Sequence, residues 1–271
     1  MRLREKLRSR DAGMKLGKRP AVIDGRTLKF ASYLPKPELP EVPSVVNWGK
    51  AVKRWGLHKN DRIGDCAIVG PANMERCWSF NSPAPDFEAT DDQVIADYSA
   101  VSGYNPQTGE NDNGCIMLDV LKRWRNDGIC GHKIGAFVSV NPKNMEHVRL
   151  ANWMVGGLYI GVELPANAQG ARSWRYVPGT GSEAGSWGGH AVNCISHSPK
   201  GLSVVTWGEV KPMTLAFWRE YVSECYAVLS SQWVETGYNA PNGFDLESLR
   251  RDLEMVVRRE RAEGDCTPAT C

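Results

Sequence analysis

The sequence predicts an α+β protein in which a helical half precedes a sheet-rich half, with a cleft between them. Two patterns support this prediction. Apolar residues recur at helical spacing in the first half, and short β-rich runs separated by Gly, Ser and Pro turns fill most of the second half. The length of 271 residues, with 42% apolar and 24% charged residues, is enough for a substantial core. We therefore expect one large domain or two closely packed subdomains.

The first 44 residues are predicted to form an extended arm. Residues 1–19 hold eight Lys/Arg against two Asp/Glu, which is typical of a solvated tail or of an arm docked on an acidic partner. Residues 34–44 are rich in proline and are therefore expected to be extended. The compact domain is expected to span 45–232, followed by a C-terminal helix and tail over 233–271.

Four helices are predicted in the first half. The first runs from Cys66 to about Phe80, although Pro71 would kink it or delay its regular part. The other three cover about 91–101, 115–126 and 145–154, where apolar residues return at helical spacing.

The second half begins with strands and ends with helices. Short β-rich runs predict strands at Leu158–Leu164, Ala191–Ile195 and Leu202–Trp207. Helical periodicity over 214–229 predicts a helix, and 245–261 predicts a charged amphipathic helix near the C-terminus. Helices followed by strands favour the α+β class.

The cysteine pattern and the net charge indicate where the protein is made and which kinds of partner it binds. The eight cysteines are scattered, unlike the dense disulfide framework of a small secreted domain, so most are expected to be reduced. Cys266 and Cys271 are the pair most prone to oxidise. A secretory signal and an apolar run of about 18 residues are both absent, so we expect synthesis in the cytoplasm and no membrane partner. The net charge of +2 does not favour nucleic acid.

No metal or other cofactor is predicted. The Cys130-x-His132 pair lacks a second pair at zinc-site spacing. His190, Cys194 and His197 lie on one predicted strand, where alternate side chains point to opposite faces, so these three do not converge.

Cys66 and His190 form the candidate catalytic pair. Cys66 follows a loop containing Gly64 and begins a predicted helix, whose N-terminus would stabilise a thiolate. His190 lies 124 residues downstream, after two glycines and before an apolar strand. A lone buried cysteine usually packs as a small hydrophobic residue. The pairing with a distant histidine is what indicates nucleophilic catalysis.

Between Val45 and Leu229 the sequence resembles the papain family of cysteine peptidases. Residues 60–66 align with the family's Gln-Gly-Ser-Cys-Gly-Ser-Cys segment, which places Cys66 on the nucleophile and Asn60 on the oxyanion-hole glutamine. Gly189-His190-Ala191-Val192 is similar to the family's His-Ala-Val motif.

The resemblance implies a fold and a mechanism. The fold would be the papain-like two-lobed one, with a helical N-terminal lobe, an antiparallel β C-terminal lobe and the site in the cleft between them. In the implied mechanism, a Cys66 thiolate paired with a His190 imidazolium attacks a carbonyl, and the Cys66 N–H and the Asn60 amide hold the oxyanion. His190 then protonates the leaving amine, and water resolves the thioester.

The sequence also departs from the family pattern. Val205 stands where the family keeps the asparagine that orients the imidazole, so Thr206 is the nearest polar substitute and Trp207 would shield the pair. Ile63 replaces a family cysteine whose usual partner matches Cys115, so that disulfide cannot form.

Two functions remain open at this point. The first is a cysteine peptidase or amide hydrolase acting on a peptide or protein. The alternative is a catalytically weak or inactive papain-fold structural or binding protein, such as a phage virion component, which the basic arm and the missing asparagine favour. The arm and the tail are expected to contact a protein partner or a larger assembly. Loops 103–114 and 165–187 are expected to wall the cleft and carry no charged-pocket signature.

Overall fold

A computed structural model describes residues 13–35, 38–231, 234 and 244–265. The helices in chain order are α1 (Cys66–Phe80), α2 (Asp91–Ser102), α3 (Met117–Asn126), α4 (Met145–Val155), α5 (Leu215–Tyr221) and α6 (Leu246–Asp265). The strands are β1 (Val46–Asn47), β2 (Ile134–Ser139), β3 (Leu158–Leu164), β4 (Gly188–Ser198), β5 (Gly201–Thr206), β6 (Glu209–Met213) and β7 (Val222–Ser230). Within these residues no helix combines the length and the apolar character needed to cross a membrane.

The chain folds into a helical lobe and a sheet lobe. Helices α1 to α3 surround Trp124, which is fully buried and stacks on Trp78 at a centroid distance of 5.8 Å. The strands form one seven-stranded antiparallel sheet in the order β2-β7-β3-β4-β5-β6, with β1 paired to β4. A second core lies between this sheet and α4, α5 and α6. The predicted α+β class is confirmed.

Helix α1 continues through Pro71 because the sheet supplies the missing hydrogen bond. Proline has no N–H, so the carbonyl of Ala67, four residues earlier, loses its helical donor. The hydroxyl of Tyr159 on β3 donates to that carbonyl at 2.7 Å, and both residues are fully buried. The helix that begins with Cys66 is thereby joined to the sheet at its first turn.

The predicted helix over 214–229 is wrong in its second half. Helix α5 ends at Tyr221, and Val222–Ser230 forms strand β7 between β2 and β3. Most side chains of β7 are buried, so the apolar and polar alternation of a half-exposed strand is missing. A continuous apolar run of this kind does not distinguish a buried strand from a helix. Strands β2 and β6 were also not predicted.

The described part of the predicted arm packs against its own domain. Phe30 and Tyr33 are buried in the core of the sheet lobe, and Met14 and Leu16 pack on it. The apolar residues among the basic ones bind this part of the chain to the domain, so residues 13–35 lie on the domain and do not extend away from it. Residues 1–12 lie outside the described residues, so a contact of the arm with a partner stays a prediction.

The predicted C-terminal helix is present as α6. Leu249 is fully buried against the sheet lobe, and Asp252 accepts a hydrogen bond of 3.1 Å from the hydroxyl of Tyr33. The tail cysteines Cys266 and Cys271 lie outside the described residues. The six cysteines within them are free and buried.

Replacing Tyr159 with Phe should lower the free energy of unfolding by about 1–3 kcal/mol, because the buried Ala67 carbonyl loses its donor. Urea unfolding followed by tryptophan fluorescence measures this change. Tyr176→Phe is the matched control, because Tyr176 is exposed. Equal stability of the two variants would show that the hydroxyl of Tyr159 does not support α1.

Candidate active site

Cys66 lies where the two lobes meet, against the backbone that follows His190. Cys66 is the first residue of α1, and His190 is the third residue of β4. The backbone N–H of Ala191 donates to Cys66 Sγ at 3.4 Å, so the sulfur lies against the residue that follows the histidine. The thiol and the imidazole do not form a hydrogen bond with each other, and His190 Nδ1 is buried without a partner among the described residues.

The His190 ring is held by its other nitrogen and by aromatic packing. Nε2 lies 2.8 Å from Oγ1 of Thr206. Trp207 stacks on the ring at 4.5 Å with an interplanar angle of 17°, and Trp174 meets it edge-on at 6.5 Å. Because Thr206 occupies Nε2, Nδ1 is the nitrogen left for a thiol. The polar neighbour at the position expected from the sequence is therefore present.

Both groups are neutral in this state at neutral pH. Burial raises the pKa of Cys66 to about 12, although the backbone N–H groups of Ala191 and Gly17 act in the opposite direction. Burial also lowers the pKa of His190 to about 3, and the ammonium of Lys211 adds to this effect. The thiolate–imidazolium pair that the resemblance implies is not the form present here.

Asn60, the expected oxyanion donor, is bound within its own loop. Its Nδ2 donates to Asp65 Oδ1 at 2.8 Å and to the carbonyl of Ile63 at 3.3 Å. Burial raises the pKa of the Asp65 carboxyl well above its usual value, although the hydrogen bond from Asn60 acts in the opposite direction. An oxyanion role for Asn60 therefore requires it to release one of these bonds.

A segment of the N-terminal region covers the thiol. We call residues 14–19 the cleft segment. Its Gly17 lies against the backbones of Gly64 and Gly114 so closely that a Cβ on Gly17 would overlap the Gly64 carbonyl, and a Cβ on Gly114 would overlap the Gly17 carbonyl. The N–H of Gly17 is one of the two donors that lower the pKa of Cys66, so the segment passes directly over the sulfur.

The cleft segment is bound to both lobes by backbone hydrogen bonds. Cys115 of the helical lobe donates to the Gly17 carbonyl at 2.8 Å, and its own carbonyl accepts from Arg19 at 2.9 Å. On the sheet lobe, the N–H of Lys18 donates to the carbonyl of Gly189 at 3.1 Å. The segment thus fills the space beside Cys66 that a peptide would need.

Several residues of this site were missed from the sequence. They are Gly17 and Lys18 of the cleft segment, Asp65 beside the nucleophile, and Trp174 and Lys211 beside the histidine. Asp65 directly precedes Cys66, and its burial is what the sequence does not show. The other four reach the site through long-range contacts, so no local motif marks them. Among the described residues, no group of three His, Cys, Asp or Glu side chains is placed to hold a metal ion.

Comparison with solved structures identifies the fold. Xylellain, a cysteine protease from Xylella fastidiosa, superimposes with a TM-score of 0.64 at 13% identity over 82% of this chain and 97% of its own. Procathepsin B S9 from Trypanosoma congolense gives 0.54 at 12% identity, over 80% of this chain and 87% of its own. The ragweed cysteine protease Amb a 11 in its proform gives 0.51 at 15% identity, over 71% and 68%.

The fold is therefore the papain-like two-lobed α+β fold, as the resemblance implied. No protein-family model matches the sequence. No curated protein matches it either. The similarity at this level of identity concerns the fold, so the chemistry is inferred from the residues of the site.

Acid should destabilise the protein through His190. The pKa of this side chain is about 3 when folded and near its ordinary 6.5 when unfolded, so between these pH values only the unfolded chain binds the proton. The contribution to stability is complete above pH 6.5 and is lost as the pH falls towards 3.

Urea unfolding at pH about 7 and about 4.5 measures this loss. His190→Gln cannot take up the proton, so its free energy of unfolding should fall less than that of the wild type over the same interval. An identical decrease in both proteins would contradict the assignment.

Proposed function

We propose that this protein is a papain-like cysteine peptidase or related amide hydrolase, with Cys66 as nucleophile and His190 as base, and that the cleft segment closes its site. One observation carries the proposal. A cysteine at a helix N-terminus accepts a hydrogen bond from the residue that follows His190, whose Nε2 faces Thr206 and whose buried Nδ1 has no partner among the described residues. This arrangement suits proton transfer from the thiol to Nδ1.

The reaction begins when the cleft segment leaves and water enters the site. Solvation removes the burial that keeps both groups neutral, and the N-terminus of α1 favours the thiolate. His190 Nδ1 takes the thiol proton, and Cys66 Sγ attacks the substrate carbonyl carbon. The imidazolium then gives its proton to the leaving nitrogen, which breaks the C–N bond and leaves a thioester. Water hydrolyses the thioester, with His190 acting as base.

Two hydrogen-bond donors stabilise the negatively charged oxygen of the tetrahedral intermediate. The backbone N–H of Cys66 at the start of α1 is one. Asn60 supplies the second after it gives up the longer of its two bonds, the 3.3 Å contact with the Ile63 carbonyl. Thr206 keeps the imidazole in place through Nε2. Trp207 covers the ring and limits access of water to it.

The cleft segment acts as an internal blocker. It places the N–H of Gly17 against the sulfur. A thiolate attacks a carbonyl carbon, so the segment does not offer the sulfur a bond to attack. It also takes up the backbone groups of Cys115 and Gly189 that would bind an extended peptide. Two of the similar solved structures are described as a procathepsin and a proform, which supports a closed precursor state here.

The nucleophile is tested in a chain that carries Gly17→Ala to open the cleft. This chain should hydrolyse a protein substrate such as casein and should react with an epoxide inhibitor at Cys66. Cys66→Ala in the same background should lower hydrolysis by about 10³-fold or more. Cys77→Ala is the control, because Cys77 is a buried cysteine further along the same helix. Loss of activity in both cysteine variants, or in neither, would assign the chemistry elsewhere. An opened, folded chain without any turnover would favour the alternative of an inactive binding protein.

Gly17→Ala should open the cleft because the new methyl group would overlap the backbone of Gly64, which cannot yield as a side chain would. Alkylation of Cys66 by iodoacetamide, followed by peptide mass spectrometry, should become faster by about tenfold or more. Gly25→Ala is the control, because a Cβ at Gly25 meets nothing within 4 Å. A folded Gly17→Ala protein whose Cys66 reacts at the wild-type rate would refute the blocking role.

A further inference from the structure

The side chain of Lys18 fills an acidic pocket below the cleft segment. Its ammonium lies 2.7 Å from Glu163 Oε1 and 3.1 Å from Glu224 Oε1, and the side chain is 0% exposed. Burial acts against the charged form, but the two carboxylates outweigh it and raise the pKa of Lys18 above its usual value. The lysine is therefore a bound cation inside the protein.

The sheet provides both the carboxylates and the room for the lysine stem. Glu163 on β3 lies opposite Gly189 on β4, and Glu224 on β7 lies opposite Gly161 on β3. Residues two apart on a strand share a face, so Glu163 and Gly161 point the same way. A Cβ on Gly161 would overlap the stem of Lys18, so the missing side chain creates the pocket.

Neighbouring hydroxyl groups hold the two carboxylates in position. Tyr226 donates to Glu224 Oε2 at 3.0 Å, and Ser223 donates to Glu163 Oε1 at 2.9 Å. The side chain of Glu224 is only 5% exposed, and that of Glu163 is 32% exposed. A buried carboxylate without a cation is unfavourable, so removal of Lys18 leaves a site that favours another positive charge.

We propose that the acidic pocket is a specificity subsite, and that it selects peptides with a lysine or arginine side chain at the residue whose N–H pairs with the Gly189 carbonyl. Lys18 makes that backbone bond itself, and the adjacent Gly17 lies against the Cys66 sulfur. A side chain in the pocket therefore belongs to the residue next to the one whose peptide group contacts Cys66. As a substrate subsite it rests on the proposed function. Its charge preference is independent of turnover.

The preference is tested first by binding, in the full chain with Gly17→Ala to open the cleft, Lys18→Ala to empty the pocket and Cys66→Ala to prevent cleavage. The probe is a fluorescent peptide with the sequence of residues 13–19, compared with the same peptide carrying norleucine in place of Lys18. The lysine peptide should bind at least about tenfold more tightly, because its ammonium can form a buried, charged hydrogen bond with the carboxylates of the pocket and norleucine cannot. A third peptide with norleucine in place of Lys15 is the control, because the side chain of Lys15 is 53% exposed.

Charge removal in the pocket should abolish this discrimination. Glu224→Gln and, separately, Glu163→Gln in the same chain should bring the lysine and norleucine peptides to similar affinity. Glu220→Gln, at an exposed position near the start of β7, should not change it. Two separate pocket variants guard against a folding defect in one of them. Equal affinity of the first two peptides, no binding of either, or a preference that survives both pocket variants would overturn the proposal.

Turnover then separates this proposal from the proposed function. The chain with Gly17→Ala and Lys18→Ala and with Cys66 intact is given fluorogenic peptides with lysine, arginine or norleucine at the matching position. Faster cleavage of the two basic peptides supports both proposals. Equal cleavage of all three keeps the peptidase and overturns the pocket as a substrate subsite. Selective binding of the lysine peptide without any cleavage overturns the peptidase and leaves a cation-selective binding pocket.

Discussion

The hydrogen bonds between the first turns of α1 and the sheet are the constraint on which the site depends. Tyr159 donates to the Ala67 carbonyl at 2.7 Å, and the side chain of Asn193 donates to the Gly70 carbonyl at 2.6 Å. The N–H of Ala191 reaches Cys66 Sγ at 3.4 Å. These bonds cross the boundary between the lobes, so Cys66 on one lobe and His190 on the other keep a defined separation. Two packed lobes without such bonds would be free to slide.

The closed state follows from steric and dielectric effects that act together. Gly17 can pass over Cys66 only because Gly17 and Gly114 lack side chains, since a Cβ on Gly17 would overlap the backbone of Gly64 and a Cβ on Gly114 would overlap the backbone of Gly17. With the segment in place, Cys66 and His190 are buried, and burial disfavours charge on both the thiol and the imidazole. In the proposed function, the same contact would exclude substrate and disfavour the reactive ionic form, so blocking and deactivation would have one structural cause.

Lys18 links the closed state to the question of substrate. A backbone hydrogen bond alone would hold any sequence in the cleft, whereas a buried ammonium between Glu163 and Glu224 requires a basic side chain. Because Lys18 of the cleft segment occupies this pocket, a ligand that replaces the segment would also carry a basic side chain. The sequence pointed to loops 103–114 and 165–187 as the cleft walls, without a charged pocket. The charge lies instead on two strands below the cleft.

The sequence by itself determined the helices around the site, the α+β class and the pair Cys66 and His190. Local periodicity sets each helix, and short motifs mark Cys66 and His190 as the candidate catalytic pair. Only the tertiary structure decided that Val222–Ser230 is a strand, because its burial comes from the strands on both sides. The acidic pocket also depends on strand register, which brings Glu163 and Glu224 together although they are far apart in the chain. Register and loop closure are long-range properties, so no single stretch of sequence encodes them.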